Sequence, residues 1–127
     1  MNDKTKDAFS ADTALEAYWS AAAEGRLLLK KCEDCGEVHY YPRPLCPFCM
    51  SANTTWLEAS GNGEIYSWSV ERRGAPPYAI AFVTLPEGPT LLTNIVDCDL
   101  DALAIGQKVK LAFETREERP VPVFRLA

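Results

Sequence analysis

A single histidine, His39, stands in the whole chain, and that scarcity excludes more than any other count. It removes histidine-pair metal sites and every catalytic arrangement that works through two imidazoles. No Gly-rich phosphate loop and no nucleophile elbow occurs either, so nucleotide hydrolysis and serine-type acyl transfer have no visible carrier. Apolar runs are short. None approaches the roughly 18 residues a membrane span needs, and no apolar core follows the N-terminal charges, so no secretory signal is expected. The expected location is therefore the cytoplasm, where thiols stay reduced and paired cysteines favour metal over disulfide. Positive charge is also scarce: 13 Lys and Arg stand against 18 Asp and Glu, for a formal net charge of −5. Binding to a phosphate backbone relies on clustered Lys and Arg, so a generic nucleic-acid binder is disfavoured.

What the chain does have is cysteine in a telling pattern. Cys32-Glu-Asp-Cys35 and Cys46-Pro-Phe-Cys49 are separated by ten residues. Each pair lets one tight turn present two sulfurs to one ion, and two such turns complete a closed tetrahedral shell of structural type. Gly36 gives the first turn its backbone freedom, and Pro47 stiffens the second. Sulfur-only ligation fits zinc best and also accommodates iron. A closed shell offers no open position to a substrate, so this site builds structure. With four thiolates supplied, His39 is not needed as a ligand; it is expected as a ribbon-strand residue, the alternative being a hydrogen bond to a ligand or to the metal shell. Cys98 is left over as a spare thiol without a dedicated base.

At 127 residues the chain is one ordinary domain, or one small domain plus a module. Met1 to Asp12 read as a loose polar leader. Thr13 to Gly25 read as an amphipathic helix, capped by Asp12 or Thr13, with Glu16 in its first turn and Gly25 as its stop. Leu15, Tyr18, Trp19 and Ala22 share one face. Arg26–Lys31, Val38–Tyr41 and Thr54–Ala59 are expected as short strands around the cysteine turns, the layout of a zinc ribbon. From Gly61 the texture becomes alternating and β-branched. Strands are expected over Gly63–Arg72, Ala79–Leu85, Thr90–Ile95, Lys108–Glu114 and Val123–Leu126, with an irregular acidic connection at Asp97–Leu103. Five short strands with one irregular connection suit a small Greek-key barrel such as the OB-fold. The expected organisation is mainly β: leader and helix over 1–25, zinc ribbon over 26–60, barrel over 61–127.

Such modules recur in nucleic-acid binders, and Tyr66 and Trp68 alternate along one strand as a stacking platform would, or as core. The barrel half nevertheless carries nine acidic residues against seven basic ones, and its cations are scattered.

Taken together, several blocks form a wider pattern. They are Arg26-Leu27-Leu28-Leu29, Cys32-x-x-Cys35-Gly36, Tyr41-Pro42-Arg43-x-x-Cys46-Pro47-x-Cys49 and Gly61-x-Gly63-x-Ile65-Tyr66-Ser67-Trp68. Pro77-Tyr78, Pro86-Glu87-Gly88, Ile105-Gly106-x-x-Val109 and Phe124-Arg125 continue it. From about Leu15 to Arg125 the chain resembles the acyl-CoA-associated zinc-ribbon/OB-fold proteins, catalogued as domain of unknown function thirty-five. It departs little from their pattern, having Leu85-Pro86-Glu87 where an acidic residue is common before the Glu. The resemblance implies a rubredoxin-like zinc ribbon and a C-terminal OB-fold. It also implies a non-catalytic accessory subunit that supports a thiolase-like enzyme (thiolase, aldolase or acyltransferase) or an acyl-CoA hydratase, with acyl-CoA binding as a further expectation. Candidate contacts are then Trp19, Phe48 and Tyr78 as apolar anchors and Arg43, Arg72 and Arg73 for CoA phosphates. A free-standing acyl-CoA-binding module and a single-stranded nucleic-acid binder are the competing readings.

Overall fold

In a computed structural model, residues 11–127 of the chain are described; most of the expected leader lies outside them. Two compact units divide the chain, one ending at Ala59 and the other running Ser60–Ala127. Among the described residues no helix is long and apolar enough to cross a membrane.

The described part of the first unit begins with helix α1, Ala11–Ala23. Asp12 and Thr13, expected ahead of the helix, lie within its span. Its other end is as expected. Gly25, at φ +82°, lets the Arg26 N–H reach the Ala21 carbonyl at 2.9 Å and its own N–H reach Ala22 at 3.0 Å, the paired closure of a Schellman turn. Tyr18, Ala21 and Ala22 are buried along one face. The Tyr18 hydroxyl shares a 2.8 Å hydrogen bond with Tyr40, and its ring meets Trp19 and Tyr41 edge-on at 5.0 and 5.3 Å. Strand β1, Leu28–Cys32, is the centre of a three-stranded antiparallel sheet between β2, Val38–His39, and β3, Thr54–Glu58. Its register sets Lys30 opposite His39 on one side and Trp56 on the other, and Cys32 opposite Thr54. Leu27, Leu28 and Leu29 supply most of the ribbon's apolar burial.

The second unit is a closed five-stranded barrel, an OB-fold, in the order β4-β5-β6-β8-β7. Its strands are β4 Asn62–Glu71, β5 Tyr78–Thr84, β6 Thr90–Ile95, β7 Lys108–Arg116 and β8 Arg119–Leu126. Ile65, Ala79, Ala81, Val83, Leu91, Ile95, Val109, Val123 and Phe124 fill it. Gly63 is there for space, because a Cβ at this position would stand 2.5 Å from Val83 Cγ1. Glu87, in the β5–β6 turn, folds back so that its Oε2 accepts the N–H of Ser60 at 2.8 Å.

Two barrel features depart from the sequence reading. The pairing of β4 with β5 slips between Ile65 and Ser67, a bulge at Tyr66. Strict alternation would put Tyr66 and Trp68 on one face. The extra residue instead leaves Tyr66 and Ser67 on the outer side with Phe82, and turns Trp68 to the side of the buried Ala81. Strand β8 also begins at Arg119 rather than Val123. Pro120 and Pro122 are tolerated because of the edge they face. The Phe124 carbonyl takes the N–H of Val96 at 2.8 Å, so alternate residues of β8 aim their backbone groups at β6, and the prolines bring no donor there. The parallel β6–β8 seam accordingly closes at one register position, Ile95 with Phe124. Beyond it the Thr93 hydroxyl donates to the Pro122 carbonyl at 3.0 Å.

Candidate metal centre

The four cysteines converge. Their sulfurs all lie within 4.8 Å of one another, with Cys32 Sγ 3.6 Å from Cys49 Sγ and Cys35 Sγ 3.7 Å from Cys46 Sγ. A regular tetrahedron with Zn–S bonds of ~2.3 Å has S···S edges of ~3.8 Å, so the spacing fits a divalent ion held by four thiolates. None of the five cysteines is in a disulfide. The zinc ribbon is thus a structural metal site.

Both turns are built alike. In the first, the Cys35 N–H donates to Cys32 Sγ at 3.4 Å and Gly36 N–H to the Cys32 carbonyl at 2.9 Å. In the second, the Phe48 N–H donates to Cys46 Sγ at 3.3 Å and Met50 N–H to the Cys46 carbonyl at 2.8 Å. The position after each pair needs a left-handed backbone: Gly36 has φ +80° and Met50 φ +67°. Glycine adopts this freely; methionine does not. The residues between the first pair tie the turns together. Asp34 accepts from the hydroxyl of Ser51 and, at 3.2 Å, from Asn53 Nδ2, while Glu33 accepts from Thr55 Oγ1 at 2.7 Å. The two donors on Asp34 hold its carboxyl below the usual carboxylate range.

The thiols do not ionise alike. The backbone N–H of Cys35, ahead of smaller contributions, brings Cys32 down to about 7. At Cys49 the Ser51 backbone favours the thiolate, but contact with Cys32, burial, and contacts with Cys35 and Cys46 outweigh it and push the thiol up to about 12. Four crowded sulfurs cannot all carry charge unaided; a dication removes that conflict and displaces the protons.

His39 is 4% exposed, and neither ring nitrogen has a hydrogen-bond partner. It therefore makes no hydrogen bond to the thiol cluster. Burial, then the charges of Lys30 and Arg43, push its pKa down, which favours the neutral ring. Cys98 is half-buried, its thiol 4.0 Å from the Ile95 carbonyl, and burial and the flanking Asp99 and Asp97 push its pKa up. That is the opposite of an activated nucleophile.

The expected contact residues fall in both units. Trp19 is half-buried beside Tyr18, whereas Arg43 is exposed and Phe48 is 63% exposed on the second cysteine turn. On the barrel, Arg72 pairs with Asp101 at 3.0 Å, Arg73 with Glu71 at 3.3 Å, and Tyr78 is exposed. The sequence reading missed a row across the outer barrel wall. Tyr66, Phe82 and Leu92 are 66%, 45% and 60% exposed; Phe82 pairs directly with Leu92, and the bulge sets Tyr66 beside them. A pocket of about 370 Å³ opens at Tyr66, bordered by Thr84, Pro86 and Ile105. The alternation of exposed apolar residues in β5 and β6 carried this signal, but the bulge in β4 was not readable.

Comparison with known proteins agrees with this architecture. The model of the ChsH2 rubredoxin-like zinc ribbon domain matches residues 19–55, and that of the ChsH2 C-terminal OB-fold domain matches residues 56–114. A DUF35 domain-containing scaffold protein of Methanothermobacter thermautotrophicus is 40% identical over 96 residues, covering 69% of this chain and 72% of that protein. A probable enoyl-CoA hydratase alpha subunit of Thermomonospora curvata is 37% identical over 118 residues. That match takes in 87% of this chain but only 37% of the relative, so the chain spans little more than a third of that protein's length. Among solved structures, the Ltp2-ChsH2(DUF35) aldolase superposes with a TM-score of 0.76 at 35% identity, over 88% of this chain and 93% of that one. A DUF35-family protein of unknown function from Sulfolobus solfataricus has a TM-score of 0.68 at 17% identity, over 98% and 97% of the two chains. The last likeness is one of fold alone.

Proposed function

The chain belongs to the DUF35 family of ChsH2-type zinc-ribbon and OB-fold proteins, and from that membership we propose that it is a non-catalytic accessory subunit. Its partner is a thiolase-like enzyme (thiolase, aldolase or acyltransferase) or an acyl-CoA hydratase, which it binds and supports in acyl-CoA metabolism. Relatives named as scaffold proteins, as a hydratase subunit and as part of an aldolase complex support this reading. The observation that carries it is the apolar row Tyr66, Phe82 and Leu92, left open to solvent on an otherwise filled barrel. Apolar side chains gathered in this way mark protein interaction sites. The pocket beside Tyr66 gives a partner side chain a place to seat, and Phe48 on the ribbon and Tyr78 on the barrel are further anchors.

Arg43 is the strongest of the three cations for a CoA phosphate. Arg72 and Arg73 are engaged by Asp101 and Glu71, whereas Arg43 makes no ion pair among the described residues. Single-strand nucleic-acid binding is the weaker alternative: Tyr66 and Trp68 face opposite sides of β4, and the chain is acidic.

Co-expression with a thiolase-like or hydratase-like enzyme from the same organism tests the proposal. The pair is expected to co-purify, and Phe82→Asp with Leu92→Asp to break the complex while zinc content is kept. A protein that neither co-purifies with that enzyme nor alters its activity would overturn the accessory role. Calorimetric titration of a CoA thioester against a single-stranded oligonucleotide, at two salt concentrations, decides between direct CoA contact and nucleic-acid binding.

A further inference from the structure

Lys30 sits where a lysine is costly. The residue is 8% exposed, and among the described residues no carboxylate pairs with it. The Nζ lies 4.3 Å from the centroid of the Trp56 ring and donates to Thr54 Oγ1 at 3.3 Å. An ammonium taken out of water needs an opposite charge. One hydroxyl and one aromatic face replace only part of its hydration. His39, directly opposite on β2, cannot help, being buried and without a hydrogen-bond partner.

The strand register locates the missing negative charge. Side chains alternate along β1, so Lys30 and Cys32 share the buried face while Lys31 points to solvent. Lys30 stands opposite Trp56, and Cys32 stands opposite Thr54. By touching the Thr54 hydroxyl, the ammonium has reached two register positions along the sheet, to the row that Cys32 occupies. Directly opposed side chains in such a pair have Cβ atoms ~4.5–5.5 Å apart. The Lys30 ammonium therefore lies on the buried face of β1 that also carries Cys32, and its hydroxyl partner Thr54 is the residue paired with Cys32. Four thiolates around a divalent ion carry a net charge of about −2.

We propose that Lys30 is the internal counter-charge of the metal–thiolate shell, a positioning residue that raises the ribbon's affinity for its divalent ion. Lys31 is nearer to Cys32 in sequence but faces solvent, where its charge is screened. Burial, not proximity along the chain, selects which lysine acts. The cation–π contact with Trp56 and the bond to Thr54 fix the ammonium in place.

The test uses the full chain and zinc itself, with affinity measured by competition against a chromogenic chelator. Lys30→Met keeps the apolar stem along Trp56 and removes the charge; it should weaken zinc binding by about 10- to 100-fold, the usual effect of losing a group that supports metal ligands. Lys30→Arg should restore affinity to within about threefold of wild type, and Lys31→Met should stay within about twofold. Cobalt(II) spectra should show the same four-thiolate shell in all variants that load. Zinc binding by K30M within about threefold of wild type would overturn the proposal, as would equal losses in K30M and K31M. Should K30M take up no measurable zinc, K30R decides: near-wild-type affinity supports the role of charge, and a loss as large as that of K30M ends it.

Discussion

The ribbon and the barrel are held together by opposite means. The barrel buries branched and aromatic carbon on every strand; its buried Thr93 hydroxyl has a partner in the Pro122 carbonyl, and one oxygen of the part-buried Glu87 carboxylate is left without one. The ribbon buries three consecutive leucines, two of its four cysteines, and two polar side chains, Lys30 and His39, one of which has no hydrogen-bond partner at all. A sheet of three short strands that also carries buried polar groups lacks the apolar area to offset its conformational entropy. The difference teaches that composition alone misleads about where stability resides. The half with the strongest sequence signature is the half with the weakest core, and its signature is the ligand set that makes up the deficit.

The sharpest way to break the comparison is to remove the metal. Cys32→Ser, or chelation of the wild type, should cost the ribbon about 10–16 kcal/mol of apparent metal-linked folding energy. The ribbon's amide resonances should collapse while those of Ser60–Ala127 stay dispersed, and assembly with the partner enzyme should weaken. A barrel that unfolded together with the ribbon would show that the two halves do not stand apart energetically. The reciprocal experiment is Gly63→Ala. A Cβ 2.5 Å from Val83 Cγ1 forces the barrel wall to shift, at a cost of about 1–3 kcal/mol. Thermal unfolding of the barrel should move down by several degrees with zinc stoichiometry unchanged.

Smaller effects sharpen the picture within the ribbon. Gly36 and Met50 occupy the same left-handed position in the two cysteine turns, so their substitutions should have opposite signs. Gly36→Ala should cost about 1 kcal/mol and Met50→Gly should gain up to about that much, read as shifts in zinc affinity. The smallest effect concerns acid. Burial holds the His39 pKa below its ordinary 6.5, so the folded state binds fewer protons there than the unfolded chain. Its contribution is fully present above pH 6.5 and is lost as pH falls from 6.5 toward the depressed folded value. His39→Leu should flatten the stability curve in that window relative to wild type, measured by denaturant unfolding of the zinc-loaded protein at a series of pH values.

Much of this was legible in the residues, for physical reasons that also explain the gaps. The cysteine spacing specifies its own geometry, because two-residue gaps leave few ways to aim two sulfurs at one point. The stop at Gly25 was legible because only a left-handed residue closes a helix in this way. The helix start was not, since Asp12 and Thr13 have the chemistry of caps but lie within the helix. Strand β8 was cut short in the sequence reading because proline forbids a ladder bond in general; here the bonds it lacks are ones the seam does not make. The bulge at Tyr66 was invisible because one extra residue in a strand leaves the composition unchanged while reversing every side chain after it. The outward apolar row of Tyr66, Phe82 and Leu92 is therefore not legible in the sequence, and alternation alone groups Trp68 with Tyr66. The Met50 conformation went unforeseen for a related reason: nothing in its side chain advertises a positive φ.

The seam between β6 and β8 has a consequence for how the barrel breathes. Four of its five strand junctions are antiparallel ladders of three or more register positions, and the fifth is a single parallel rung at Ile95 and Phe124 backed by the Thr93 hydroxyl. A cylinder fastened so unevenly opens along one line before it melts. Hydrogen–deuterium exchange should find that line, with the Val96 amide exchanging through a low-energy opening while amides of the β4–β5 ladder wait for global unfolding. The outer wall that carries Tyr66 and Phe82 then stays intact through the commonest fluctuation.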